Sequence, residues 1–166
     1  MSTRIGAAAT SKVIQRIAAP TGISAGLALL GEEGQSYGGD PIAVQVRAQN
    51  VAADLSERGE TVQYPAVYVY CEKIANSLEE KFRTFSGSIQ MAVEVRQSQD
   101  SLQGLQDRLE LYVDSVTQVL DANRGDWSDG MYFCGGYQVA FGPIKRGGKN
   151  FLQVAKVTFE IGVSIS

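Results

Sequence analysis

The stretch Phe151-Leu-Gln-Val-Ala-Lys-Val-Thr-Phe-Glu-Ile-Gly-Val-Ser-Ile165 decides how this chain is read. Val157, Phe159, Ile161, Val163 and Ile165 recur at every second position, with Thr158, Glu160, Gly162 and Ser164 between them. Successive side chains of a strand point to opposite faces, so this alternation spells a half-buried strand. Upstream, Ile89, Met91, Val93 and Val95 alternate against Gln90, Ala92, Glu94 and Arg96 and predict a second strand. Tyr64-Pro-Ala-Val-Tyr-Val-Tyr-Cys71 is apolar on both faces, as expected inside a sheet. Pro65 stands at its start, where a missing amide hydrogen does least harm. The charged run from Glu72 to Arg83 reads as an exposed connection, with partial helix open as an alternative.

Between the strands the period changes. Leu102, Leu105, Leu109, Tyr112, Val113, Val116, Val119 and Leu120 form one helical stripe. Asp100 reads as its N-cap, Gln103 completes a capping box, and Asn123-Arg124-Gly125 supplies the stop. An acidic loop with Asp126, Trp127 and Asp129 follows. One strand from Met131 to Phe141 then turns through Gly142–Asn150 into the terminal strand.

The first part of the chain is less regular. Ser11 reads as the cap of a short helix with Val13, Ile14, Ile17 and Ala18 on one face, ended by Pro20 and Gly22. Gly22–Leu30 holds at most two further helical turns, and Gly31–Pro41 is a glycine-rich loop. Ile42, Val44 and Val46 favour a short strand over the competing helix from Asp40 to Gly59. The expected division is an arm, 1–62, and a core, 63–166, in one structural domain. The expected fold class is α+β: a mainly antiparallel sheet of about four strands, covered on one face by the long helix and the shorter N-terminal helix. Gln90, Glu94, Gln138, Lys156, Thr158 and Glu160 would form the wet face.

Composition narrows the function. With 166 residues, 44% of them hydrophobic, the chain carries enough apolar material for a core. A net charge of −3 argues against a dedicated nucleic-acid binder. One local basic cluster remains: Lys145, Arg146 and Lys149 around Gly147 and Gly148, a candidate contact for a partner or for DNA. The same loop superficially resembles a phosphate-binding loop. However, Pro143 stands where the first glycine belongs, Asn150 replaces the Ser or Thr, and the context is strand–loop–strand.

There is no histidine, which removes Ser-His-Asp and Cys-His activation and most transition-metal sites. Cys71 and Cys134 lack Cys-x-x-Cys spacing and read as buried free thiols, while Asp126 and Asp129 read as a solvated turn. The expectation is a non-enzyme with no catalytic residue, no cofactor and no metal. Ile17–Leu30 is interrupted by polar residues and falls short of the roughly 20 apolar residues of a membrane span, so no membrane partner is expected.

Tyr64-Pro-Ala-Val-Tyr-Val-Tyr-Cys-Glu-Lys-Ile74, the alternating strand Ile89–Val95, the amphipathic helix and the closing hairpin together resemble the tail terminator, or tail-completion, proteins of long-tailed bacteriophages. Lambda-like members have a similar Phe-Pro-Ala-Val strand, acidic connection and closing hairpin. The resemblance covers about residues 62–166. It implies a virion structural protein of the tail–neck region, assembled in the host cytoplasm. Such a protein forms a hexameric ring on the tail tube protein, stops tube growth and joins the head–tail connector, with DNA passing through the ring. Under that reading Tyr68, Tyr70 and Trp127 are candidate subunit-interface residues, and Lys145, Arg146 and Lys149 candidate lumen contacts. The alternatives are a neck or minor tail protein for head–tail joining, or a small non-viral binding module.

Overall fold

The structure, a computed structural model, describes residues 4–19, 45–50, 64–147 and 149–166. The arm segments 20–44 and 51–63, including the glycine-rich loop and Ile42 and Val44, lie outside them. The described elements run α1 (Ile5–Ile17), β1 (Gln45–Arg47), β2 (Ala66–Asn76), β3 (Phe85–Gln99), α2 (Leu105–Ala122), β4 (Gly125–Ser128), β5 (Met131–Phe133), β6 (Tyr137–Phe141), β7 (Lys145–Gly147) and β8 (Asn150–Ile165).

They build one eight-stranded sheet in the order β1-β2-β3-β8-β5-β4, with β6 and β7 also paired to β8. The expected fold class is therefore corrected: the sheet has twice the expected strands, is curled, and is mixed because β1 runs parallel to β2. The physical reason lies in β8. At 16 residues it outruns any single partner on its outer edge, so β7, β6 and β5 take successive lengths of it. Cys134-Gly135-Gly136 interrupts what the alternation predicts as one strand from Met131 to Phe141. Its other edge pairs without a break to β3, from Phe85↔Ile165 to Gln99↔Phe151.

The core lies on one face of the sheet. Val67 and Val69, Ile89 to Val95 at alternate positions, and Ala155 to Val163 at alternate positions meet Ile5, Ala9, Val13 and Ile17 of α1 and the stripe Leu109–Leu120 of α2. Burying each such aliphatic side chain contributes about 1.5–3 kcal/mol before conformational entropy is subtracted.

Local expectations are corrected in four places. α1 begins at Ile5, so Ser11 lies inside the helix and caps nothing. α2 begins at Leu105, not after Asp100, because β3 keeps pairing through Gln99. The chain then turns on Gly104 at φ +75°, a left-handed conformation that glycine adopts without steric cost, and Leu102 is left exposed. The connection Glu72–Arg83 holds no helix: β2 continues to Asn76, with a bulge between Cys71 and Lys73. Trp127 sits on β4 in the core rather than in an acidic loop.

Trp127, Phe133 and Phe159 form an aromatic cluster with ring centroids 5.3–6.4 Å apart. The indole of Trp127 donates to the Asn123 carbonyl at 2.7 Å, and the Arg16 guanidinium lies 4.2 Å over its ring. Lys12 of α1 donates to the Trp127 carbonyl and pairs with Asp129 at 2.9 Å. One side chain thereby ties α1, the end of α2 and the β4–β5 hairpin to β8.

Candidate functional site

The second face of the sheet is only partly wet. Along β2, β3 and β8 it carries a polar network set by the register Tyr68↔Glu94↔Lys156. Tyr70 donates to Glu94 at 2.7 Å, Arg96 pairs with Glu94 at 2.7 Å, and Glu72 accepts from Gln90 and pairs with Lys156. Arg96 is only 2% exposed, with its guanidinium 3.9 Å over the ring of Tyr68. A desolvated contact of this kind contributes about 2 kcal/mol. The Tyr70 phenol is held well above its ordinary pKa, chiefly by burial and then by the Glu94 hydrogen bond and the charges of Glu94 and Glu72. This network links β2, β3 and β8 across the second face of the sheet.

Tyr68 is fully buried, Tyr70 nearly so, and Trp127 is 3% exposed. All three are enclosed within the chain. Cys134 is exposed, against the expectation of a buried thiol, because it sits in the break between β5 and β6. Cys71 is half-buried beside α1, and burial pushes its thiol pKa up. Both are free.

Three surface features stand out. The first is the β7–β8 hairpin tip, which brings Lys145, Arg146 and Lys149 together in solvent. Arg146 leans over Phe151 at 5.6 Å, and none of the three forms an ion pair with a described residue.

The second is the β2–β3 tip, residues 77–84, where Phe82 is 100% exposed. Leu78 (φ 48°) and Phe82 (φ 64°) both adopt the left-handed conformation that side chains disfavour. The tip is nevertheless tightly held. Asn76 donates to the Thr84 carbonyl and accepts from the Leu78 and Ser86 amides, and Ser86 Oγ accepts from the Glu80 amide. Glu80 in turn accepts from Ser164 and pairs with Arg83.

The third is the edge strand β6, Tyr-Gln-Val-Ala-Phe, whose residues are exposed apart from the half-buried Val139. Among the described residues, only β8 pairs with it. Two open grooves accompany these features. One, of about 590 Å³, runs beside α1 past Arg4, Arg83, Asp129 and Gly130; the other, of about 770 Å³, lies on the second face near Cys134 and Glu160.

The sequence pointed to the basic tip, and the strand Met131–Phe141 contained β6, but neither the exposure of Phe82 nor that of the β6 edge was anticipated. Both carried a signal: an aromatic between Lys81 and Arg83 in an otherwise charged run, and a five-residue strand without a charge. Among the described residues no cluster of three or more His, Cys, Asp or Glu is placed to hold a metal ion, and no helix is long and apolar enough to cross a membrane. No protein-family model matches the chain, and none of the curated proteins compared with it matches either.

Proposed function

We propose that this chain is a structural tail terminator of a long-tailed bacteriophage. In this reading it caps the tail tube as a hexameric ring, stops tube growth and offers the surface that joins the head connector. It performs no bond-making chemistry, and it works in the tail–neck region of the virion. The reading draws on the likeness of the Tyr64–Ile74 strand and of the element order that follows it.

The observation that carries it is the β2–β3 tip. A fully exposed phenylalanine is held on a hydrogen-bonded loop with two left-handed side-chain residues, an arrangement that favours contact with another protein over stability of the isolated chain. Aromatic anchors on preorganised loops are where binding energy concentrates at interfaces.

The test is tail assembly without this chain. Tubes of uncontrolled length support termination, and their return to uniform length on adding the purified chain completes the case. Tubes of normal length that fail to join heads would move the protein to the neck. Normal tubes joined to heads would overturn the reading.

A further inference from the structure

The edge strand β6 and the flank of α2 beside it form an acidic, apolar strip with no partner among the described residues. Register puts Tyr137, Val139 and Phe141 on the core side of the sheet, opposite Phe159, Val157 and Ala155. Val139 packs against the core, while Tyr137 and Phe141 remain exposed at the margin, followed by Ile144. Two contacts place α2 alongside: Tyr137 Oη meets Asp121 at 3.4 Å, and Gln153 Nε2 donates both to Gln106 and to the Gly142 carbonyl.

At 3.6 residues per turn, Gln106, Glu110, Asp114, Thr117 and Asp121 fall within a sector of about 80° on that flank. Three carboxylates therefore line an apolar margin. Among the described residues only Asp121 of the three has a cationic partner, Arg124 at 3.4 Å, and both are exposed. The helix places no basic residue in its last turn to offset the negative end of its dipole. The β6 edge carries none of the charges or prolines by which exposed strands avoid pairing.

The complement of this strip is present on the same chain. The β7–β8 tip holds three cations without an ion pair to a described residue, beside Ile144 and the partly exposed Phe151. Within one chain the tip does not pair with the flank, although both border β8. We propose that the cations Lys145, Arg146 and Lys149 at the tip of one copy dock against the β6–α2 strip of a second copy, meeting Glu110, Asp114 and Asp121. The inference rests on the ring reading above and names the contact between neighbours in it. Because tip and strip are different patches, each copy still offers one of each, and head-to-tail repetition closes into a ring if the rotation allows. Asp114 is exposed, and the partial desolvation and nearby Glu110 charge that raise its pKa fit a site that gains from an incoming cation.

Charge exchange tests this on the full chain. The tip variant carries Lys145→Glu, Arg146→Glu and Lys149→Glu, and the strip variant carries Glu110→Lys and Asp114→Lys. Circular dichroism and thermal melting establish that both fold, and sedimentation velocity reads association at low and high salt. The unmodified chain should self-associate, with affinity falling at high salt as screening shortens to a few ångströms. Each variant alone should associate at least about tenfold more weakly. An equimolar mixture of the two should regain association, because each reversed tip then faces a reversed strip.

An unmodified chain that stays monomeric at every concentration and salt, variants that associate undiminished, or a mixture that does not recover would each overturn the proposal. A tip variant that self-associates normally but no longer retains duplex DNA would overturn it in favour of a lumen role for the cations. Recovery in the mixture, together with normal tails made in the absence of the chain, would keep this contact and remove the terminator reading.

Discussion

Phe133 offers the sharpest check on how the β4–β5 hairpin is joined to the core. It sits on the short strand β5, is 1% exposed, and has its ring centroid 5.4 Å from Trp127 and 5.3 Å from Phe159. Removing the ring with Phe133→Ala combines lost transfer energy with a cavity among residues that cannot all collapse inward, and should cost about 3–5 kcal/mol. Phe133→Leu keeps most of the volume and loses chiefly the two ring–ring contacts. At about 0.5–1.5 kcal/mol for each pair, it should cost about 1–3 kcal/mol. Trp127 is the only tryptophan, so urea unfolding followed by its fluorescence reads the same place that the mutation changes. With a slope of about 1–3 kcal/mol per molar urea, the alanine variant should lower the midpoint by roughly 2 M. Tyr132→Ala, next door but exposed, should stay within about 0.5 kcal/mol of the parent. A Phe133→Ala cost below about 1 kcal/mol, or one matched by Tyr132→Ala, would refute the claim that the β4–β5 hairpin closes the core.

Three further outcomes follow from single positions. Gly130 has φ +78°, and an added Cβ would lie 2.2 Å from the Ser164 carbonyl oxygen, so Gly130→Ala should destabilise by about 1–3 kcal/mol in thermal melting; an unchanged melting temperature would contradict the turn geometry. The Asp114 carboxyl has its pKa raised in the folded chain by burial and then by Glu110, so the native state retains a proton that the unfolded state has released. Stability should therefore fall as pH rises from the unfolded pKa through the native one. Asp114→Asn should stabilise at neutral pH and change little in acid, whereas a pH-independent effect in paired melts would count against this. Native thiol titration should show Cys134 reacting fast and Cys71 slowly, the latter being half-buried with its pKa pushed up; equal rates would argue against the break that exposes Cys134.

The parts of the fold legible in the sequence are those where one physical period runs uninterrupted. Val157 to Val163 alternate, and the same residues are buried against the helices; Leu105 to Leu120 recur at helical spacing, and that stripe forms their side of the core. What the period does not carry is where pairing stops. Asp100 and Gln103 have the right chemistry for a cap, but β3 uses the chain through Gln99, so the turn falls to Gly104. Alternation from Met131 to Phe141 reads as one strand because a two-glycine break preserves its apparent rhythm. Trp127 looks like a surface aromatic between two aspartates, yet in the four-residue strand β4 it is the one residue that turns inward and is buried. The candidate surface was legible only as composition: three cations near two glycines located a tip, while its acidic counterpart became visible once register set β6 beside α2.

The two hairpin tips suit different tasks, and their energetics separate them. Leu78 and Phe82 in left-handed conformations cost about 1–2 kcal/mol each. The hydrogen bonds that Asn76, Ser86 and Ser164 make across the tip contribute about 1 kcal/mol apiece and offset that cost. The backbone that carries Phe82 is thereby ordered in advance, so a partner that buries the ring gains its apolar area and has only the side chain left to order. The β7–β8 tip is the opposite case. Its Lys145, Arg146 and Lys149 side chains are long, solvated and joined through glycine, so their contribution to a contact is mainly electrostatic and fades with salt. Under the proposed ring reading both are of use: a reversible, steered contact between neighbours and an apolar anchor on an ordered loop for the surface of the tube. Salt should therefore dissolve contacts made by the basic tip and leave those made by Phe82 standing. Dissociation of Phe82-dependent binding at the same salt concentration would show that the two tips do not divide the work in this way.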